Sequence, residues 1–210
     1  MTKESHLCHV IIASSDGYFL KRIFEDSKLT KTSNFYFVDY LDEADTKYWL
    51  NHLEYESAIT SFKLTDSQIE FIWKYLGGSM WEISDLLGKL IPCSNNNTIS
   101  DQHLTDFIHK RIEENCARFS HYAGISNNKI RLLKEIYDLS EKKNFLRILD
   151  LKALAEKISY NNNTLSQELE QLVRLNYLAF NPTTSGYQIQ GKSMFYGLKQ
   201  FLESIPDTFY

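Results

Sequence analysis

The 210-residue sequence predicts a mostly α-helical fold with a small β content, and three observations support this fold class. First, only two short apolar runs in residues 1–57 are typical of buried parallel strands. Second, three amphipathic helices with start and stop signals follow in residues 58–125. Third, residues 126–210 show helices and a β-hairpin in the order of a winged helix-turn-helix. The first region is therefore predicted to be a remnant of an α/β core, and the last an α+β winged helix.

The first region contains two apolar runs. Residues 10–12 are Val-Ile-Ile, and this run ends at the polar turn of residues 14–17 before a helical pattern begins. The second run, residues 35–38, is aromatic and leads through Asp42 into a short helix. Because two buried parallel strands do not form a stable sheet, we expect residues 1–57 to belong to a larger α/β domain. The uncovered strand edge predicts self-association through residues 1–40.

Helix signals are strongest in residues 58–125. Two of the three helices begin with a capping-box pattern, Thr65-x-x-Gln68 and Ser79-x-x-Glu82. The first of them ends at Gly77, and the third begins near residue 100. Apolar residues recur at helical spacing in each, which predicts three helices packed into one compact unit.

The last third has a different pattern. Helical periodicity covers residues 130–139, 151–158 and 164–176, and an Asn-rich turn precedes the last of these helices. Two apolar segments, residues 177–180 and 187–190, flank a turn rich in Thr and Ser, and a final amphipathic helix follows. This order of helices and hairpin is typical of a winged helix-turn-helix.

Charge and cysteine usage limit the environment of the chain. Residues 1–128 carry 12 Lys and Arg against 18 Asp and Glu, whereas residues 129–210 carry 11 against 9. The second region is thus far less basic than a typical nucleic-acid-binding domain. The three cysteines, Cys8, Cys93 and Cys116, are widely spaced, which predicts a reducing, cytoplasmic location. No apolar run approaches the roughly 18 residues that a membrane helix requires, so we expect no membrane partner.

No metal site and no catalytic constellation is predicted. His6 and Cys8 would share one face of a strand while His9 points to the other face, so the three side chains cannot converge on a metal ion. No serine or cysteine lies in a recognised nucleophile motif, and the adjacent carboxylate pairs do not face each other on a helix. We therefore expect no enzymatic chemistry from this chain alone.

Taken in order, these parts resemble the archaeal P-loop ATPases of the STAND branch of the AAA+ superfamily. Ser14 and Ser15, at the end of the first apolar run, resemble the sensor-1 element of that family. Residues 36–42, YFVDYLD, resemble its aromatic strand and acidic turn. Residues 75–80, YLGGSM, resemble the Tyr-x-Gly-Gly-x-Pro segment of its lid, with Met80 in place of the proline. A winged helix closes such chains.

The resemblance implies three domains: a truncated P-loop NTPase core (residues 1–57), a helical lid (58–125) and a winged helix-turn-helix (126–210). The family's phosphate loop, GxxxxGK[ST], and its magnesium-binding acid are expected nowhere in this sequence, and both would precede Lys3. The resemblance then implies a C-terminal portion, as a split gene, a degraded paralogue or a fragment. ATP and magnesium would then bind only when the missing N-terminal half is present. The implied role is a nucleotide-dependent switch or scaffold, with that half or another protein as the partner.

The resemblance also suggests residues that would contact a nucleotide. Ser14 and Ser15 would reach the γ-phosphate, because polar groups at the carboxyl end of a parallel strand face the ligand crevice. Gly77 and Gly78 would let the backbone approach a nucleotide base. The alternative interpretation is structural: an ordinary strand-to-helix turn at the serines, and a helix C-cap followed by a tight turn at the glycines.

A winged-helix DNA-binding regulator is the alternative function. The residues expected to contact DNA are those on the outer face of the second helix and one residue of the wing: Asn163, Thr164, Ser166, Gln167, Arg174 and Lys192. Affinity for DNA comes mainly from contacts of Lys and Arg with phosphates. Because Glu168 and Glu170 outnumber the single cation of this helix, DNA is not favoured. A third possibility is a protein-interaction module.

Overall fold

The computed structural model describes residue 11, residues 38–143, 146–147, 150, 160–181 and 184–206. The strand expected at residues 10–12, most of the aromatic strand at 35–38 and the helix expected at 151–158 lie outside these residues. The self-association predicted for residues 1–40 likewise remains a prediction.

The described residues are mostly helical, with one small antiparallel sheet. In chain order the elements are α1 Glu43–Asn51, α2 Leu53–Ser57, α3 Asp66–Leu76, α4 Met80–Leu90, α5 Asp101–Ala123, α6 Asn127–Lys142, β1 Leu146–Arg147, α7 Asn162–Arg174, β2 Leu178–Asn181, β3 Gly186–Ile189 and α8 Gly191–Glu203. A short 3-10 helix, Ile91–Cys93, follows α4. None of the described helices is long and apolar enough to cross a membrane.

Side-chain capping marks the N-termini of most described helices, but the N-cap residues of α2, α4 and α8 make no such hydrogen bond. The capping box of Thr65 and Gln68 is present at the start of α3, and Gly77 ends that helix, as predicted. Ser79 occupies the N-cap position of α4, but its side chain makes no capping hydrogen bond. The prediction of a second capping box was wrong because the Glu82 side chain bonds to residues of α5 and α8 instead.

The long helix α5 connects two hydrophobic cores. Its first half contributes Leu104, Ile108 and Ile112 to a core shared with α1, α3 and α4. Its last turn contributes Phe119 and Tyr122 to a second core, which contains side chains from α6, α7, α8 and the sheet. One continuous helix therefore contributes to both cores.

The sheet has three strands in the order β1–β3–β2, all antiparallel. The hairpin of β2 and β3 was predicted, and Phe180 pairs with Tyr187 across it. The first strand was not predicted: Leu146 is opposite Tyr187 and is fully buried in the second core. A two-residue strand has too short an alternation pattern to be recognised in a sequence.

Helix α8 returns from the sheet to the helices that precede it in the chain. It packs along α5, and it also contacts α3 and α6. A Cβ added at Gly197 would lie only 2.6 Å from Cβ of Asn115 on α5. A residue without a side chain is therefore what allows the two helices to approach so closely.

Candidate functional site

Gly77 and Gly78 lie where α3 ends, and both are in close contact with other parts of the chain. Gly77 has a positive φ of 60°, and a Cβ there would lie 3.3 Å from the side-chain carbons of Lys192. A Cβ at Gly78 would lie 1.8 Å from the carbonyl oxygen of Leu41, whose N–H donates to the Gly78 carbonyl at 3.0 Å. Packing within the chain therefore accounts for the presence of glycine at both positions. Contact with a nucleotide base stays a prediction, and Ser14 and Ser15 lie outside the described residues.

Lys192 does not extend from the turn between β2 and β3, so its predicted position in the wing was wrong. It is the second residue of α8, where the chain has already turned back toward the lid. Its ammonium donates to the carbonyl oxygen of Trp73 at 3.2 Å and lies 4.0 Å from the centre of the indole ring. Because that carbonyl belongs to the last turn of α3, the positive charge lies at the negative end of the helix dipole. Burial lowers the pKa of Lys192, an effect that the negative charge of Glu43 partly opposes.

Glu82 contacts the first turn of α8, which also contains Lys192. Its Oε1 accepts hydrogen bonds from the Ser193 hydroxyl at 2.6 Å and from Nε of Arg111 at 3.0 Å, and the carboxylate side chain is only 10% exposed. The N-cap residue of α8, Gln190, provides no side-chain cap. The Glu82 carboxylate therefore supplies the negative charge that a helix N-terminus favours, from a different helix. Its second oxygen, Oε2, is buried and has no hydrogen-bond partner among the described residues.

A chain of hydrogen-bonded polar groups continues from Ser193 to the end of α7; it is buried at Ser193 and Asn115 and reaches the surface at Arg118 and Leu175. Asn115, which is 1% exposed, donates from Nδ2 to the Ser193 hydroxyl at 3.0 Å. Arg118 donates from Nη1 to Oδ1 of Asn115 at 3.3 Å and from Nη2 to the carbonyl of Leu175 at 2.6 Å. Hydrogen bonds thus connect Glu82 of α4 with the residue that follows α7. The buried part of this network, at Ser193 and Asn115, favours one relative position of α4, α5 and α8.

Tyr40 borders the first turn of α8. Gly191 has a φ of 81°, and a Cβ there would lie 3.5 Å from the Tyr40 hydroxyl and 3.7 Å from Oε2 of Glu82. Burial raises the pKa of Tyr40 to about 12, and the negative charges of Glu82 and Asp39 add to the effect. Because the next residue, Leu41, bonds to Gly78, the segment before α1 contacts the lid and α8 together. We call Tyr40, Leu41, Gly77, Gly78, Glu82, Arg111, Gly191, Lys192 and Ser193 the α8 junction.

One segment of the sequence has the residue spacing of a phosphate loop. The expectation that the GxxxxGK[ST] pattern occurs nowhere in the sequence was therefore wrong. Residues 186–193, GYQIQGKS, fit GxxxxGK[ST]. In a phosphate loop the residues between the glycines form a loop whose N–H groups converge on phosphate. Here Gly186–Ile189 is strand β3, paired on both sides. Lys192 donates to a carbonyl of α3, and the hydroxyl of Ser193 donates to Glu82. The string has the spacing of a phosphate loop but not its structure.

The expected DNA-contacting residues of α7 are mostly on its outer face. Asn163, Ser166, Gln167 and Arg174 are exposed. The N–H and the hydroxyl of Thr164 both bond to the side chain of the N-cap residue, so Thr164 is engaged in capping. Each of the two cations proposed for this surface has another contact. Arg174 donates to a glutamate of its own helix at 2.7 Å, and Lys192 lies in the α8 junction.

Several residues in the α8 junction or next to it were not identified from the sequence, although a signal was present for some. Asn115 falls on the apolar stripe of α5, between Ile112 and Phe119, where a polar side chain needs a buried partner. Gly197 lies on the apolar stripe of α8, which indicates close approach of another helix. Arg111 carried no such signal, because arginines are common on helix surfaces. Within the described part of the chain, no three His, Cys, Asp or Glu side chains are grouped so that they could hold a metal ion.

Comparison with known proteins indicates the class of protein. Residues 1–86 match the family model described as an ATPase domain predominantly from Archaea. An uncharacterized ATP-binding protein of Pyrococcus abyssi is 27% identical over 209 residues, which are 100% of this chain and 54% of that protein. Another ATP-binding protein, from Methanocaldococcus jannaschii, is 34% identical over 90 residues, 43% of this chain and 23% of that protein. No solved structure matches the chain.

The chain is thus similar to an ATPase domain predominantly from Archaea and to archaeal proteins named ATP-binding. A second Pyrococcus abyssi relative, also named an uncharacterized ATP-binding protein, is 26% identical over 98% of this chain and 51% of its own length. The chain thus spans about half the length of the curated relatives that it matches over its full extent. The match extends through α8, so the junction lies within the shared region.

Proposed function

We propose that this chain is the lid and winged-helix portion of an archaeal ATPase of the STAND branch and acts as a nucleotide-dependent switch or scaffold. ATP and magnesium would be held by the phosphate-binding part of such an ATPase, and this chain would carry no hydrolysis by itself. The similarity to proteins named ATP-binding supports the nucleotide, and the order α6, β1, α7, β2, β3, α8 supports the winged helix.

The α8 junction is the observation on which the proposal of a switch rests. Tyr40 and Leu41 lie within residues 1–86, which match the ATPase family model. Leu41 bonds to Gly78, and the Tyr40 hydroxyl borders Gly191 of α8. A displacement of this segment would therefore act on both elements at once. Ser193 connects the same turn to the end of α7 through Asn115, so the displacement would reach the winged-helix region.

The test combines this chain with the part of the Pyrococcus abyssi relative that it does not cover. Hydrogen exchange at the Leu41 amide reports the contact with Gly78, because that amide donates to the Gly78 carbonyl. We expect its exchange rate to change severalfold when ATP and magnesium are added to the mixture. Gly78→Ala should abolish the response, since its Cβ would overlap the Leu41 carbonyl, whereas Gly88→Ala should retain it because its Cβ would meet no atom within 4 Å.

The chain alone provides the second half of the test. Calorimetry on the isolated chain should show weak or no ATP binding, and no phosphate release should be detected. Micromolar, magnesium-dependent ATP binding by the chain alone would contradict the proposal. So would a Leu41 exchange rate in the mixture that is the same without nucleotide, with ADP and with ATP.

DNA binding remains the second candidate function because three polar side chains of α7, Asn163, Ser166 and Gln167, are exposed on one side of the helix. Asn and Gln are suited to reading adenine. A titration of DNA binding against salt tests this candidate: a regulator should lose affinity steeply as salt rises, in proportion to its phosphate contacts. If binding depends on Asn163 and Gln167 and shows that slope, DNA is a ligand.

A further inference from the structure

An open groove lies between α3 of the lid and α8, on the outer side of the α8 junction. Its cavity volume is about 480 Å³, and it is lined by Glu70, Trp73, Lys74, Lys192, Phe195 and Tyr196. We call it the α3–α8 groove. Ligand sites in proteins are commonly roughly 300–1,000 Å³ and occur preferentially where two domains meet. The size and position of the groove are therefore those of a binding site.

The walls of the groove are aromatic and continuous with a row of packed rings. Tyr196 contacts the Tyr75 ring with centroids 4.7 Å apart, and Phe195 stacks on Tyr137 at 5.1 Å. Phe195 and Tyr196 meet edge to face at 5.7 Å. Trp73, Phe195 and Tyr196 are each partly exposed. Because these aromatic side chains pack against one another, they form a rigid apolar wall. A rigid surface loses less conformational entropy when a partner binds.

The groove also carries positive charge that is not neutralised by direct ion pairs. Among the described residues, no carboxylate lies within 4 Å of the ammonium groups of Lys74 or Lys192; each lies instead over an aromatic ring. The lining carboxylate, Glu70, is bonded to Lys47, which also pairs with Glu43. Glu43 acts on Lys192 from beyond ion-pair distance. A carboxylate entering the groove would therefore meet ammonium groups that can each donate a charge-assisted hydrogen bond.

We propose that the α3–α8 groove binds an acidic, aromatic or leucine-containing segment of a protein partner, with its carboxylates on Lys74 and Lys192 and its apolar side chains on the ring wall. This inference rests on the proposed scaffold function and names the chemistry of the partner. Two amines on an acidic chain with net charge −4 are too few for the phosphate contacts that hold nucleic acid. A nucleotide would lack convergent backbone N–H groups, because Glu82 already lies at the start of α8.

The probe is a library of short random peptides displayed on phage and selected on the full chain without nucleotide. We expect the selected peptides to be enriched in Asp or Glu next to Phe, Tyr, Trp or Leu. Lys192→Met keeps the carbon stem that packs on Gly77 and removes the charge, so affinity should fall about tenfold, the loss typical of one hydrogen bond to a charged group. Lys74→Gln, at an exposed side chain, should weaken binding severalfold without affecting the fold.

Lys199→Met is the matched control, because Lys199 is an exposed lysine of the same helix outside the groove. Its affinity for the peptides should equal that of the unmodified chain. Selection of peptides without acidic residues, failure to select any, or equal losses in Lys199→Met and Lys74→Gln would overturn the proposal. Displacement of the peptides by ADP or by single-stranded DNA would overturn it in favour of a nucleotide ligand. None of these measurements uses ATP or the phosphate-binding part. The groove proposal can therefore fail while the nucleotide switch is upheld, and the switch can fail while peptide binding is upheld.

Discussion

Two glycines in helix interiors should respond in opposite ways to the same substitution. Replacing a helical glycine by alanine stabilises a helix by roughly 0.5–1 kcal/mol when the new methyl group meets nothing. Gly88 on α4 fulfils this condition, since no atom lies within 4 Å of an added Cβ. A Cβ at Gly197 would lie 2.6 Å from Cβ of Asn115 and 3.0 Å from backbone atoms of Asn115 and Cys116. None of these atoms is the flexible end of a side chain, so α5 and α8 would have to move apart.

The expected change in the free energy of unfolding combines the gain in helix propensity with the cost of overpacking. Overpacking costs roughly 1–3 kcal/mol, and rigid backbone contacts place Gly197→Ala near the upper end of that range. After the gain in helix propensity, we expect a net loss of about 2 kcal/mol. Gly88→Ala should gain about 0.5–1 kcal/mol, so the two variants should differ by roughly 2.5–3 kcal/mol.

Urea denaturation followed by circular dichroism measures the difference. The midpoint should fall for Gly197→Ala and rise slightly for Gly88→Ala, with an unchanged slope against urea concentration, because neither variant alters the area exposed on unfolding. If Gly197→Ala is as stable as the unmodified chain, α8 does not lie against Asn115 as described. The hydrogen bond between Asn115 and Ser193, which requires the same approach of α5 and α8, would then be refuted as well.

Three further outcomes follow from the structure. Leu169 is buried in the second core, so Leu169→Ala should cost roughly 2–5 kcal/mol, while Arg174→Ala, with a side chain 67% exposed, should change stability by less than about 0.5 kcal/mol in a thermal melt. The pKa of Tyr40 is raised from about 10 in the unfolded chain to about 12, so its contribution to stability is present below pH 10 and lost as pH rises through 12. Tyr40→Phe should remove this part of the alkaline loss in urea titrations at several pH values; identical pH profiles would contradict it. Thr65→Ala should lower stability by about 1 kcal/mol through loss of the α3 capping box, measured against Ser84→Ala as an exposed helical control.

Capping patterns predicted a helix end correctly where the interacting residues all lie at that end of the helix. Thr65, Gln68 and Gly77 could be assigned from their spacing because a helix end is stabilised by residues within four positions of it. The same reasoning was wrong at Glu82, whose pattern was equally good. Its carboxylate gains two charge-assisted hydrogen bonds from Arg111 and Ser193, which are worth more than one bond to a backbone N–H of its own helix.

The string GYQIQGKS shows a related difference between pattern and structure. Spacing alone matches a phosphate loop, but spacing does not determine whether the four intervening residues form a loop or a strand. Tyr187 is buried in the second core, and pairing with β1 and β2 extends the backbone through Ile189. Hydrophobic burial and ladder hydrogen bonds therefore decide the conformation.

What the sequence by itself determined is local: the helix periodicities, most of their caps, the hairpin and the resemblance to archaeal ATPases. Each of these depends on residues close to one another in the chain or on the order of short motifs. The tertiary structure alone decided how the helices meet. The contacts of Gly78 with Leu41, of Lys192 with Trp73 and of Glu82 with Ser193 join residues at least 37 positions apart. The sequence does not indicate these partners, because glycine, lysine and glutamate are all common at solvent-exposed helix ends. The contacts of Lys192 and Glu82 form only when α8 packs against α3 and α5.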